Sequence, residues 1–416
     1  MIRTNQFQFS CYLARPACLA LLRSMAIAAL ISLYLMDASA AQDDLVRASQ
    51  VPATAQDGGQ AETTANTSKN TKYEFTLTHG VDFTEVKSQG STGTCWSFAT
   101  ASFIESELLR MGKGEHDISE MQIVYNIYRE KARNFILRQG KANFSEGALA
   151  HDFINAAARH GLIPESIFSG RESEDQRHNH GEMVALLEGM LNGIVNRSQL
   201  TPQWEAAFER VLQTYLGEIP DRFSYRGQSY SPQEFADSLG FRAEDYLNLT
   251  SFNHHPFYKQ FVLEIPDNFS NGRFYNLPID ELMDVIDHAL SNGFSVAWDG
   301  DVSEPGFSQG YGLAILPTDP NRKDRFQTVG PELSVDQDLR QQGFFSKQTT
   351  DDHLMHITGI AQDSLGNKYY VIKNSWGAMG PHQGLLYASE AYLKMKTVSV
   401  LLHRDGLPAR LRDIRH

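Results

Sequence analysis

Cysteine is scarce in this sequence: there are three in 416 residues, and two of them, Cys11 and Cys18, fall within the first twenty. If that stretch is removed, Cys95 stands alone. An intrachain disulfide is then excluded, and the lone thiol has to be a small buried apolar group, an intermolecular bridge or a nucleophile. Basic residues are outnumbered as well, 37 against 50 acidic, for a net charge of −13. That balance suits neither nucleic acid nor an anionic lipid surface as a partner. A membrane-spanning helix needs about 20 apolar residues, and the run Met25 to Met36 stops at twelve. With 41% apolar residues, 21% charged, and ordinary numbers of glycine (31) and proline (15), the composition excludes a disordered chain, a collagen-like fibre and a polytopic membrane protein. No internal repeat is visible.

What is present begins with an export signal. Arg3, Arg15 and Arg23 form a basic region, Met25 to Met36 an apolar one, and Ala38-Ser39-Ala40 a small-x-small cleavage pattern. This predicts a signal peptide over residues 1–40 and an exported protein, periplasmic or secreted, with no stable membrane anchor. Cleavage would remove three Arg and Asp37, moving the net charge from −13 to −15. Residues 41–72 have no aromatic residue and no apolar period, so they read as a disordered leader.

From Tyr73 onward the chain is long enough for one large domain or two lobes around a cleft. Apolar spacing predicts helices over 119–135, 148–158, 181–195, 202–215 and 279–292. The last third changes to short apolar runs separated by Gly, Asp and Asn, predicting strands over 294–298, 357–361, 369–373, 384–387 and 398–403. Helices first and strands last indicate an α+β fold, a helical lobe plus an antiparallel sheet lobe.

The chemistry concentrates in two places. Gln89 to Ala99 (QGSTGTCWSFA) is a glycine-rich loop running into a helix that Cys95 opens. A thiol at a helix N-terminus sits beside unpaired N–H groups and the positive end of the backbone dipole, which favours thiolate. Those N–H groups can also hold an oxyanion, with Gln89 donating its side-chain amide. A Cys nucleophile needs a base, and the base an orienting group. Asp351 to Ile360 (DDHLMHITGI) and Tyr370 to Gly377 (YVIKNSWG) supply a His opening one strand and an Asn closing the next, with Trp376 placed to keep water from their hydrogen bond.

These motifs resemble the papain-like cysteine peptidases, through QGSTGTCWSFA, ISEMQIV (118–124), EGALAHDFINAAARHGLIP (146–164) and IKNSWG (372–377). Residues 215–241 and 276–302 are similar, more specifically, to the bleomycin hydrolase and aminopeptidase C branch, which carries a long helical insertion, placed here at about 165–280. The resemblance covers 73–404. It implies a two-lobed papain-like domain over 73–416, with Cys95 as nucleophile, Gln89 as oxyanion donor, His353 as general acid/base and Asn374 as its orienter. Gly147, Ala148, Trp96 and Trp376 would line the substrate cleft. His353 is preferred to His356 because the family's catalytic His lies six residues before a strand glycine, here Gly359. Side chains also alternate along a strand, so only one of the two can face Cys95.

The reaction implied is peptide bond hydrolysis through a Cys-His-Asn acyl-enzyme, thiolate against imidazolium, with no metal or organic cofactor. The substrates implied are short peptides cleaved by an aminopeptidase, and the assembly a homohexamer. Three departures stand out. Thr92 replaces papain's disulfide cysteine, and the second residue of the cleft's Gly-Gly pair is Ala148. Branch members also end in an arm whose terminal carboxylate meets the substrate's free amine. Only twelve residues follow Arg404, with Arg410, Arg412 and Arg415 among them, so this tail is expected to be shorter than the family's. An endopeptidase, a dipeptidyl-peptidase and a Cys-dependent acyltransferase therefore stay open, whereas a non-catalytic peptide binder would normally show a substituted Cys or His. His178, His180, His254 and His255 invite a metal reading but lack a second ligand pair at familiar spacing, so solvated loop histidines are expected. Asp299 and Asp301 are expected to line the cleft or a turn.

Overall fold

The computed structural model describes residues 71–173, 175–412 and 414. The expected export signal, and the leader as far as residue 70, lie outside the described residues.

The predicted helices form. Helix α1 (Cys95–Arg110) is central, with every residue from Cys95 to Leu108 buried. Its polar members are therefore tied to neighbours: Ser97 Oγ donates to Glu120 O (2.9 Å), and Glu105 accepts from Ile118 N (2.9 Å). Helix α2 (Glu120–Leu137) is capped by Ser119, whose hydroxyl accepts from Gln122 N. Helix α3 (Ala150–His160) stops at Gly161. Helices α4 (Gly181–Ile194) and α5 (Gln203–Leu216) follow, then α6 (Pro232–Leu239), which a capping box between Ser231 and Glu234 opens. Helix α7 (Ile279–Ser291) covers the far face of the sheet, and α8 (Gln337–Phe345) and α9 (Glu390–Lys396) flank its end. Among the described residues, no helix is long and apolar enough to cross a membrane.

The insertion is not purely helical, which corrects the sequence expectation. It carries a hairpin, β2 (Phe223–Tyr225) with β3 (Gln228–Tyr230), and three strands, β4 (Tyr246–Thr250), β5 (Gln260–Val262) and β6 (Arg273–Asn276). These last three extend the main sheet because β4 pairs with β13 (Thr397–His403). They are three to five residues long, and β4 is mostly buried on both faces, so no period-2 alternation marks them.

The sheet runs β5-β6-β4-β13-β7-β10-β11-β12-β9-β8, where β7 is Val296–Gly300, β8 Phe307–Ser308, β9 Leu313–Ala314, β10 His353–Asp363, β11 Lys368–Lys373 and β12 Leu385–Ser389. Strand β1 (Phe75–Gly80) pairs with the second half of β10. Alternation along β10 separates two cores. Leu354 joins the helical core with α1 to α6, whereas Met355 and Ile357 join the core under α7. Helix α1 thus lies against one face of β10, and its first residue points into the cleft where β10 begins.

Candidate active site

The loop before α1 is held from both sides. Gln89 N donates to Ser375 O (2.8 Å) and Ser91 N to His178 O (2.8 Å). Gly90 has a positive φ of 66° and lies so close to the His178 carbonyl that a methyl group would collide with it. Thr94, at the N-cap, makes no side-chain capping bond, so the first N–H groups of α1 are left to a ligand. Cys95 sits there, a free thiol only 8% exposed. Beside it Trp96 is wholly buried, its Nε1 donating to Glu146 O (3.0 Å).

Across the cleft, His353 Nε2 donates to Asn374 Oδ1 at 2.7 Å. That bond fixes the tautomer and directs Nδ1 toward the cleft that Cys95 also lines. Asn374 is itself locked. Its Oδ1 accepts from Ser375 N (2.7 Å), and its Nδ2 donates to Gln309 Oε1 (2.9 Å). The Trp376 ring lies 4.9 Å from the His353 ring and covers the pair. His356 goes elsewhere: fully buried, its Nδ1 meets Ser102 Oγ on α1 at 2.9 Å. Gln89 is clamped at both ends of its amide, Oε1 accepting from Ser375 Oγ (2.7 Å) and Nε2 donating to Thr92 O (2.7 Å). An amide nitrogen carries two hydrogens, so one N–H is left for an oxyanion.

A family model for the "Peptidase C1-like family" matches residues 210–415, and one for the "Papain family cysteine protease" matches 71–131. Both models are of papain-like cysteine peptidases, the group that the chain resembles at either end of its described part. It is 22% identical over 388 residues to aminopeptidase C of Streptococcus thermophilus, covering 82% of this chain and 85% of that one. With human bleomycin hydrolase it shares 21% identity, over 78% and 81%. The match to aminopeptidase C of Lactobacillus helveticus, at 27% identity, covers 65% of this chain and 58% of that enzyme. The crystal structure of pepw from Lactobacillus rhamnosis superposes with a TM-score of 0.67 at 20% identity, over 81% and 84%, and shares the fold.

In this peptidase, burial pushes the Cys95 thiol up to about 12, partly offset by a hydrogen bond from the Leu354 backbone. Burial likewise takes His353 down to about 4, against the pull of Asn374 and Asp352. Desolvation thus acts against a charge on either group alone. A proton moved from Sγ to Nδ1 would make the two ions together, each compensating the other.

The cleft has a volume of about 710 Å³ and is lined by Gly147, Ala148, Trp96 and Trp376 besides Gln89, Cys95 and His353. Sequence reasoning missed Ser375 and Gln309, which hold Gln89 and Asn374. Ser375 could have been read from its place between Asn374 and Trp376, but nothing local marks Gln309. The expectation of solvated histidines fails at His178 and His180, which are 8% and 2% exposed because residues 177–181 pack under the nucleophile loop. Burial lowers His178 to about 4 and His180 to about 3, and the Tyr128 hydroxyl meets His180 Nδ1 at 3.1 Å. His254 and His255 both reach Glu264, at 3.3 and 2.6 Å. Gln341 Nε2 donates to His254 Nδ1 (3.1 Å), and its Oε1 is fixed by Asn253 N. That places the His254 proton on Nε2, toward Glu264. Asp301 shapes a turn by accepting from Ser303 N and Oγ, whereas Asp299 is buried against Asp351.

Removing one oxyanion donor costs about 10²–10³ in kcat. Gln89→Ala is expected to fall in that range in a steady-state assay, while Cys95 still reacts stoichiometrically with iodoacetamide. Unchanged kcat would remove Gln89 from the oxyanion hole.

Proposed function

We propose that this protein is a cysteine-type aminopeptidase that hydrolyses short peptides. The observation that carries the mechanism is the single cleft holding Cys95 at an uncapped helix N-terminus, His353 fixed by Asn374, and a Gln89 amide hydrogen left free. His353 Nδ1 takes the Sγ proton as sulfur attacks the scissile carbonyl. The Cys95 N–H and Gln89 Nε2–H hold the oxyanion, and His353 passes its proton to the leaving amine. His353 then activates water, which breaks the thioester and restores the thiol. Support for amino-terminal action comes from relatives named aminopeptidase C and bleomycin hydrolase. We also infer export from residues 1–40, and a homohexamer from the family resemblance.

Mass spectrometry of products from an unblocked hexapeptide and its N-acetylated twin tests the reading. The unblocked peptide should give a ladder shortened from the amino terminus, and the acetylated one should stay intact. Internal fragments from the acetylated peptide would establish an endopeptidase instead.

A further inference from the structure

The aminopeptidase reading needs something that recognises a free amine, and the described carboxyl-terminal residues are engaged elsewhere. Leu407, Leu411 and Ile414 pack into the core under α7. Arg410 pairs with Asp284 (3.2 Å) and Glu281 (3.8 Å) on that helix. None of the described residues after Arg404 lines the cleft.

The cleft wall itself is strongly anionic. Among the described residues it carries Glu146, Glu188, Asp267, Asp351 and Asp352, and no Lys or Arg. Asp267 is the one laid across the wall. The loop from Leu263 to Gly272 is pinned by the buried Asn268, whose Nδ2 donates to Leu263 O (2.8 Å) and Gly272 O (3.0 Å) and whose Oδ1 accepts from Gly272 N (2.7 Å). This rigid loop sets the Asp267 carboxylate directly against Gly147, where a methyl group would collide with it. Oδ1 is steadied by Asn143 Nδ2 (3.3 Å) and Ser145 Oγ (3.4 Å), which leaves Oδ2 without a hydrogen bond. The nearby cation, Lys131, is committed to the Gly147 carbonyl and to Ser145.

Behind Asp351, the buried Asp299 accepts from Ser399 Oγ at 3.1 Å. Asp299 is 1% exposed and its Oδ1 receives no hydrogen from a fixed donor, and neither does Asp351 Oδ2. The two carboxyl groups face each other, so they must share a proton. Asp351 in turn accepts the Asp267 backbone N–H. The wall thus presents carboxyl groups to the cleft with no Lys or Arg among its described lining residues.

We propose that Asp267 receives the free α-ammonium of the substrate and closes the cleft beyond it. This rests on the aminopeptidase reading. The same ammonium chemistry could come from a substrate Lys side chain, so the test separates the two sources.

The protein, with its Asp267→Asn, Asp267→Glu and Asp267→Ala variants, is assayed on leucyl-, acetyl-leucyl- and acetyl-lysyl-7-amido-4-methylcoumarin, with iodoacetamide titration of Cys95 as the measure of folded sites. Wild type should favour the free amine by about 100-fold or more. Asp267→Asn should lose about 10- to 100-fold in kcat/KM on the leucyl substrate, chiefly through KM, the size of a lost charged hydrogen bond. Asp267→Glu should recover part of that loss. Asp267→Ala should gain cleavage of the acetylated substrates, a gain that misfolding cannot produce. A free-amine preference that survives in Asp267→Asn and Asp267→Ala would overturn the assignment. So would an Asp267-dependent preference for acetyl-lysyl over leucyl substrate. No preference in the wild type would overturn the aminopeptidase reading itself.

Discussion

Cys95→Ala is expected to lower kcat by about 10⁴-fold or more, the size of effect seen when a nucleophile is deleted from a triad-type site. No neighbouring hydroxyl can take over. Ser97 Oγ is spent on Glu120 O, and Thr94 Oγ1 is bonded to Thr92 Oγ1 at 2.6 Å. The substitution should cost little stability, because Sγ is one atom at the cleft wall and α1 is anchored by its buried length from Trp96 to Leu108. A fluorogenic turnover assay alongside a thermal melt separates the two effects. Loss of turnover with Tm changed by no more than a few degrees is the expected pattern, and undiminished hydrolysis would sink the thiol mechanism. The variant should still bind peptide, since Asp267, Gly147 and Trp376 stay in place.

That result bears on how much the sequence disclosed. Cys95, Gln89, His353 and Asn374 were legible because each sits inside a contiguous motif with a local physical signature: a glycine-rich loop into a helix, a strand opening, a strand end. The helices were legible for the same reason, since apolar spacing and caps such as Ser119 and Gly161 are local. Strand β4 was not, because it is mostly buried on both faces and is defined by its pairing with β6 and with β13, the latter some 150 residues away. Gln309 and Asp267 escaped for a related reason. Each reaches the site from a segment with no motif of its own, and only tertiary packing brings Gln309 to Asn374 or lays Asp267 over Gly147. His178 and His180 misled because a polar His-Asn-His stretch reads as solvated, whereas it packs beneath the Gln89–Cys95 loop and is driven neutral by burial. What sequence spacing showed was the set of residues that the cleft brings together. What it hid was the support that holds that set and the wall that would choose the substrate.

The two histidines of β10 make the sharpest remaining test, because their removal should produce opposite signatures. In the proposed mechanism His353 accepts and returns the proton, so His353→Ala should lose about 10³-fold or more in kcat/KM, acid–base catalysis and thiol activation failing together. The alkylation rate of Cys95 near neutral pH should fall with it, because burial holds the thiol protonated once its proton acceptor is gone. Its effect on stability comes from the lost hydrogen bond to Asn374 and the lost contact with the Trp376 ring. His356 is the reverse case: 0% exposed, bonded to Ser102 and edge-on to Phe103. His356→Ala should leave a cavity and strand the Ser102 hydroxyl, at a cost of about 2–4 kcal/mol, while folded molecules keep most of their activity per titrated thiol. Denaturant melts and kinetics normalised to alkylatable Cys95 measure both on the same samples. A His353→Ala enzyme that stayed active while folded His356→Ala enzyme was dead would move the base three residues along the strand. That outcome would require the Asn374 hydrogen bond to be structural only. The geometry argues against it, because Asn374 Oδ1 is aimed at His353 Nε2 and held there by Gln309 and the Ser375 N–H.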